Sequence, residues 1–133
     1  KIGIKLIRKR GFLRPIIEAL NRNEIVAFFT DQNAHGSGIP LQVFGREARI
    51  PRGAAEFALR LDKPVIFAYM IRETPLEHRL IISEEIQLTR TGDYKKDLQQ
   101  NTAHFMELIQ AAVSRRPEQW LWMHKLWNTR IKV

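Results

Sequence analysis

Two continuous apolar runs constrain the fold of this 133-residue chain more than any other feature. They cover residues 25–30 and 64–71, and both are rich in β-branched and aromatic side chains. Neither run shows the apolar–polar alternation of a strand with one wet face. Each run therefore predicts a strand that is buried on both faces, as in a parallel sheet. Residues 52–62, which lie between the runs, predict a helix, and the three segments together predict a βαβ unit.

The rest of the chain predicts further elements around this unit. Residues 12–22 and 97–116 have helical spacing of apolar side chains, and residues 78–88 predict another strand. Residues 31–51 predict a long loop, a kind of segment that is often functional. Pro117 and Glu118 are a helix-start signal, and the aromatic tail behind them predicts a last helix across residues 117–127. The predicted fold class is α/β, with a mostly parallel sheet.

Composition excludes several classes of protein. No apolar run approaches the roughly 20 residues of a transmembrane helix. There is no cysteine, which removes disulfides and thiolate metal sites. The four histidines lack a metal-ligating partner at i+4, so the sequence predicts neither a metal nor a cofactor. The formal net charge of +8 favours a partner that is anionic: nucleic acid, an anionic lipid surface or a phosphorylated substrate.

Candidate binding residues cluster after the first apolar run. Asp31 and Gln32 follow the carboxyl end of that predicted strand, where ligands bind in open parallel sheets. Asp31 could orient a basic partner or accept a hydrogen bond from a substrate hydroxyl, and the structural alternative is a turn that caps the loop. Arg46, Arg49 and Arg52 could hold phosphate oxygens, and the alternative for them is ordinary surface charge.

A complete catalytic set is missing from the chain. The Gly-x-Ser-x-Gly elbow and the phosphate-binding Gly-x4-Gly-Lys-Ser/Thr spacing are both absent. No histidine is followed five positions later by an acid, a spacing that can bring a base and its orienting carboxylate together. The sequence therefore predicts binding residues without a general base.

Three blocks resemble the lipid A biosynthesis lauroyl/myristoyl acyltransferases, a family in the lysophospholipid acyltransferase superfamily. The blocks come in the family's order and at about its spacings. They are the strand that leads into Asp31-Gln32, then Phe44-Gly45-Arg46 with Pro51-Arg52-Gly53-Ala54, then residues 117–124 with Trp127 and Thr129-Arg130. The family usually carries Thr where this chain has Ile50, so a hydroxyl contact is lost there.

The resemblance implies that residues 1–133 are the C-terminal portion of a single acyltransferase domain with a partial three-layer αβα fold. It implies acyl transfer from an acyl-carrier protein thioester to a hydroxyl of a lipid A precursor, at the cytoplasmic face of the bacterial inner membrane. The family's His-x4-Asp/Glu motif lies upstream of these blocks, so the chain alone is predicted inactive. Asp31 would support catalysis by shaping the acceptor site, and the three arginines would face sugar phosphates or the carrier's phosphopantetheine.

Two alternatives remain open from the sequence. A relative could acylate another glycolipid or phospholipid. A basic α/β module for nucleic acid is the alternative from another class, but aromatic residues are not interleaved with the basic ones, and no nucleic-acid partner is expected. In the tail, we expect Trp120 and Trp127 to dock the last helix, Trp122 to face a membrane or lipid, and His124 to be structural.

Overall fold

A computed structural model gives the fold, and it describes residues 3–8 and 10–127. Within that part of the chain, short 3-10 turns lie at His35–Ser37 and Pro117–Gln119. The helices are α1 (Leu13–Asn21), α2 (Gly53–Leu61) and α3 (Tyr94–Arg115), and the strands are β1 (Ile39–Val43), β2 (Arg46–Ile50), β3 (Ile66–Arg72) and β4 (His78–Glu85).

The predicted helices at residues 12–22, 52–62 and 97–116 are confirmed as α1, α2 and α3, with shifted ends. Helix α3 begins earlier than predicted, because the carboxylate of Asp93 accepts hydrogen bonds from the N–H groups of Lys95 and Lys96, at 3.0 and 3.2 Å. A side chain that caps in this way satisfies N–H groups which lack a helical partner. The predicted helix over residues 117–127 is wrong, since only one 3-10 turn forms there.

The strands predicted at residues 64–71 and 78–88 are confirmed as β3 and β4, but their pairing differs from the prediction. The prediction that the run at 64–71 is buried on both faces is wrong, since Ile66 and Met70 are 51% and 59% exposed. In the described part of the chain, β1 pairs with β2 and β3 pairs with β4, and both pairs are antiparallel. The expected mostly parallel sheet is therefore wrong, although the α/β class holds. Strands β3 and β4 follow each other across a short connection, which favours an antiparallel hairpin.

The predicted loop at residues 31–51 contains the β1–β2 hairpin. Val43 faces Arg46 across a two-residue turn made by Phe44 and Gly45. Both turn residues have positive φ angles, 48° and 75°, as the tightest hairpin turns require. Val43 and Ile50 are fully buried, so the hairpin contributes core side chains in addition to connecting elements.

Residues 25–30 form neither a helix nor a paired strand, and their burial alternates every second residue, as in an extended segment. Their exposure alternates: Ile25 and Phe29 are 92% and 78% exposed, whereas Phe28 packs on Phe57 of α2 with ring centroids 5.7 Å apart. The prediction that this segment is a strand buried on both faces is therefore wrong. Only the face that contacts α2 is covered.

Helix α3 lies between two hydrophobic clusters. Met106 joins the first and Phe105 the second, so neighbouring residues of one helix serve both. The first cluster also contains Val43, Ala48, Ile50 and Leu126, and the second contains Ala55, Leu59, Ile86 and Leu98. The hairpin and the aromatic tail are thus fixed on one side of α3, and α2 and the end of β4 on the other.

One face of the β3–β4 pair is apolar and exposed. Met70 pairs with Leu80 and Ala68 with Ile82 on this face, and the three larger side chains are 56–59% exposed. Exposed apolar area of this kind usually marks an interaction surface. None of the helices in the described ranges combines the length and the apolar character needed to cross a membrane.

Candidate active site

Asp31 follows directly on the extended segment, where its half-buried carboxylate meets the aromatic tail. The indole N–H of Trp120 donates a hydrogen bond to Asp31 Oδ2 at 3.1 Å. Indole N–H groups that leave water need an acceptor, and this carboxylate supplies one. The contact fixes one carboxylate oxygen, and within residues 3–8 and 10–127 the other oxygen has no donor.

The residue before Trp120 holds the end of β3. The side-chain amide of Gln119 accepts a hydrogen bond from the N–H of Arg72 at 2.8 Å and donates one to its carbonyl at 2.9 Å. Two consecutive residues therefore contact the carboxyl ends of the extended segment and of β3. The ends of the two segments therefore lie near each other.

An apolar groove of about 780 Å³ lies between these two segments. Residues 24–31 form one wall and residues 64–71 the other, while α2 and α3 provide the floor with Phe57, Ala58, Phe105 and Leu108. Asp31, Trp120 and Arg116 line one end of the groove, and its lining also includes the polar residues Asn23, Glu24 and Lys63. Arg116 is engaged there by Glu73 and Glu118, at 3.7 and 4.0 Å.

Among the described residues, the Asp31 end of the groove offers one lining carboxylate and no metal cluster. Among the residues that the structure describes, no three His, Cys, Asp or Glu side chains lie close enough together to hold a metal ion. A half-buried carboxylate with one oxygen that no described residue contacts can accept a hydrogen bond from a hydroxyl or an imidazole N–H. It can therefore position a reacting group or a base that another segment supplies.

The structural alternative for Asp31, a turn that caps the loop, is made by another residue. Asn33 Oδ1 accepts a hydrogen bond from the N–H of His35 at 2.7 Å, and the Asn33 side-chain amide donates to the carbonyl of Lys125 at 3.2 Å. Gln32, the other candidate in this loop, is exposed beside Asp31. Among the described residues, the turn is thus made by Asn33, and the role of Asp31 and Gln32 in substrate binding stays a prediction.

The three candidate arginines lie in different surroundings. Arg46 is exposed, with its guanidinium 5.5 Å from the centroid of the Trp127 ring. Arg49 projects from the opposite face of β2, because side chains alternate along a strand. Arg52 pairs with Glu56 of α2 at 3.3 Å. The structure does not bring the three guanidinium groups together, and their role in substrate binding stays a prediction.

Arg49 is the most confined of these arginines. Its Nη1 donates to the carbonyl of Gly38 at 3.5 Å, while its buried Nε has no hydrogen-bond partner among the described residues. Gly38 is packed tightly against the same strand, because a Cβ atom placed there would be 2.8 Å from the backbone carbon of Arg49. The chain's own backbone fills the close approach that this glycine permits.

The three tryptophans form one cluster with Phe44. Trp120 lies 5.7 Å from the Phe44 ring and 4.7 Å from Trp122, and Trp122 lies 6.3 Å from Trp127. Trp127 donates to the carbonyl of Val43 at 3.1 Å, which confirms that Trp120 and Trp127 dock the tail. Trp122 packs on both of these indoles but remains 47% exposed, so its contact with a membrane or lipid stays a prediction. Thr129 and Arg130 of the third block lie outside the described residues.

Sequence comparison adds an independent result. The model of the family described as bacterial lipid A biosynthesis acyltransferase matches residues 1–129. The lipid A biosynthesis palmitoleoyltransferase of Escherichia coli (strain K12) is 29% identical over 124 residues, which are 91% of this chain and 39% of that protein. The lipid A biosynthesis acyltransferase of Shigella flexneri gives the same identity and coverage. The chain thus spans 39% of the length of the curated relatives it matches.

Proposed function

This chain belongs to the family of bacterial lipid A biosynthesis acyltransferases, and we propose that it is the C-terminal portion of one acyltransferase domain. The enzyme would transfer a fatty acyl chain from an acyl-carrier protein thioester to a hydroxyl of a lipid A precursor. The family match across residues 1–129 is the observation that carries this proposal. The acyl transfer named for the relative from Escherichia coli supports the reaction class.

The proposed reaction needs a general base, and no histidine of residues 1–133 has an acid at the His-x4-Asp/Glu spacing. The acceptor oxygen attacks the thioester carbonyl carbon, the carbon–sulfur bond breaks, and the acceptor proton ends on the carrier thiol. A general base beside the acceptor hydroxyl speeds such a step. The resemblance assigns that base to a His-x4-Asp/Glu segment upstream of the three blocks, and Asp31 would support it from the end of the groove.

Electrostatics supports the proposed partners. A carrier protein that is acidic, a phosphorylated glycolipid and an anionic membrane surface would all be attracted by a chain with a net charge of +8. Arg46 is exposed at the start of β2, and Arg49 has an Nε without a partner among the described residues. We place the enzyme at the cytoplasmic face of the inner membrane, where the donor and the acceptor would meet.

The test is an acyl-transfer assay with the whole protein that contains this chain. It is incubated with a lipid A precursor and with acyl-carrier protein that carries a 12-, 14- or 16-carbon acyl chain. Mass spectrometry then identifies the products. We expect the precursor to gain the mass of one acyl chain. A matched reaction offers acyl-coenzyme A as donor, and another offers a phospholipid as acceptor.

Two results would contradict the proposal. Transfer to the phospholipid with none to the lipid A precursor would overturn the acceptor. Transfer from acyl-coenzyme A with none from the carrier protein would overturn the donor. Residues 1–133 alone should give no turnover in the same assay, since no histidine in them has an acid at the required spacing. Turnover by this piece would show that the base lies within it.

A further inference from the structure

The walls of the groove are extended backbones whose facing edges carry no strand pairing within the described part of the chain. No backbone group of residues 25–30 has a hydrogen-bond partner among residues 3–8 and 10–127. Strand β3 pairs with β4 along its other edge. Unpaired N–H and C=O groups are costly when they leave water, and an open strand edge is a ready template for another strand.

Both walls rest on the same helices and therefore belong to one layer. Phe28 packs on Phe57 of α2, and Phe67 of β3 packs against the cluster that α2 and α3 share. Ile25 and Phe29 of one wall, and Ile66 and Met70 of the other, are exposed. The two segments thus have the alternation of strands in a single sheet, while the groove separates them.

The unpaired backbone edges and the apolar floor of the groove match the contacts that one added strand makes. Neighbouring strands lie about 4.8 Å apart, so two strands with a third between them are about 10 Å apart. Six extended residues, the length of the segment at 25–30, span about 20 Å. An acyl chain could contact the apolar floor, but it has no donors or acceptors for the backbone edges. A strand would satisfy both edges and cover the floor with alternate side chains.

We propose that the groove holds one β-strand from a part of the same protein that lies outside residues 1–133. The relatives supply the argument for this occupant: the matched region is 39% of their length, so proteins of this family contain further polypeptide. The proposal does not depend on the identity of the acyl donor or acceptor. One end of the inserted strand would lie at the contact between Asp31 and Trp120, which brings the residues at that end to the carboxylate.

Cysteine crosslinking in the whole protein tests whether a strand separates the walls. This chain has no cysteine, and any in the remaining sequence are first replaced by serine. Ala27→Cys is combined in turn with Ile66→Cys, Ala68→Cys and Met70→Cys. We expect none of the three pairs to form a disulfide upon oxidation, because a disulfide needs Cα atoms about 4.4–6.8 Å apart. Ala68→Cys with Ile82→Cys is the matched control, since these residues are cross-strand partners in β3 and β4.

Hydrogen exchange in the unaltered protein gives the positive evidence. We expect slow amide exchange across residues 25–30, at the same rate in dilute and in concentrated protein, and without any acyl substrate. Efficient disulfide formation from Ala27→Cys to β3 would overturn the proposal, because the walls would then meet directly. Fast exchange at residues 25–30 would also overturn it, since the groove would be open. Protection that is lost on dilution would assign the groove to a second copy and overturn it as well.

The acyl-transfer assay separates this proposal from the proposed function. If the protein transfers acyl chains but the amides of residues 25–30 exchange quickly, only the proposal of an inserted strand is contradicted. A protein with protected amides and no transfer contradicts the function alone.

Discussion

The indole N–H of Trp120 donates a hydrogen bond to a carboxylate that lies 89 positions earlier in the chain. The bond to Asp31 engages one carboxylate oxygen, and no residue that the structure describes hydrogen-bonds the other. Sequence reasoning located Asp31 as a candidate, because the end of an apolar run marks the end of a strand. It could not find Trp120 as the partner, since that contact exists only after the tail has folded against the hairpin.

We predict that Trp120→Phe in the whole protein lowers acyl-transfer turnover about fivefold. The substitution keeps an aromatic ring in the cluster but removes the donor, and a hydrogen bond contributes about 1 kcal/mol. Trp122→Phe is the matched control, since it loses only a bond to the carbonyl of Pro117. Steady-state rates of the two variants provide the comparison. Equal rates would show that the bond to Asp31 serves the fold alone.

The hydrogen bonds of Asp97 predict how the free energy of unfolding depends on pH. Its buried carboxylate accepts hydrogen bonds from the hydroxyl and the N–H of Thr91, at 2.7 and 2.8 Å, and the hydroxyl bond is the largest cause that lowers its pKa. A lowered folded-state pKa adds stability above the unfolded-state pKa, and this stability is lost as the pH falls through the folded-state value. Thr91→Val should therefore reduce the free energy of unfolding at pH 7, and the loss should shrink below about pH 3.9.

The control for the pH prediction is Thr102→Val. The hydroxyl of Thr102 donates to the carbonyl of Leu98 at 2.7 Å, and a carbonyl does not titrate. Urea unfolding of both variants across the acid range measures the difference. A loss from Thr91→Val that stays constant with pH would contradict the account of Asp97.

At the scale of elements, tertiary contacts determine the two segments whose secondary structure the sequence pattern predicts wrongly, the β1–β2 hairpin and the tail. Ile39, Leu41 and Val43 alternate as a strand does, yet Pro40 and the nearby glycines favour a loop. Pro40 is exposed and lies in a two-stranded sheet, where a residue without an N–H is tolerated at an edge. The predicted helix in the tail does not form for another reason. The three indoles pack on one another, and Trp120 and Trp122 also pack on Phe44, which a regular helix would not allow.

We predict that the hairpin depends on Gly38. Gly38→Ala places a Cβ 2.8 Å from both the Cβ of Ala34 and the backbone carbon of Arg49, and such overpacking costs about 2 kcal/mol. Gly36→Ala is the matched control, because a Cβ there meets nothing within 4 Å, and its effect should stay within about 0.5 kcal/mol. Urea unfolding distinguishes the two, and similar losses would mean that the approach at Gly38 is relaxed at little cost.

At the scale of the whole molecule, the apolar runs show which segments have side chains to bury, but they do not show which elements pack against them. Strands β3 and β4 lie where the sequence predicts strands, and Phe67 of β3 packs against the core. The expectation of burial on both faces failed at Ile25 and Phe29, because nothing among the described residues packs on that side. The inserted strand would occupy the groove between these segments and β3, and it would complete the site at Asp31.

The measurement that tests this account most directly is the acyl-transfer rate of the whole protein with Asp31→Ala. We predict that turnover falls at least tenfold, because a group that positions an acid–base reaction contributes on that order or more. The variant also loses the hydrogen bond from Trp120, so its free energy of unfolding should fall by about 1–3 kcal/mol, which leaves the protein folded in the assay. Asp62→Ala is the control, since Asp62 is exposed, pairs with Arg90 at 2.7 Å and does not line the groove. Unchanged turnover in Asp31→Ala would contradict the placement of the active site at the end of the groove.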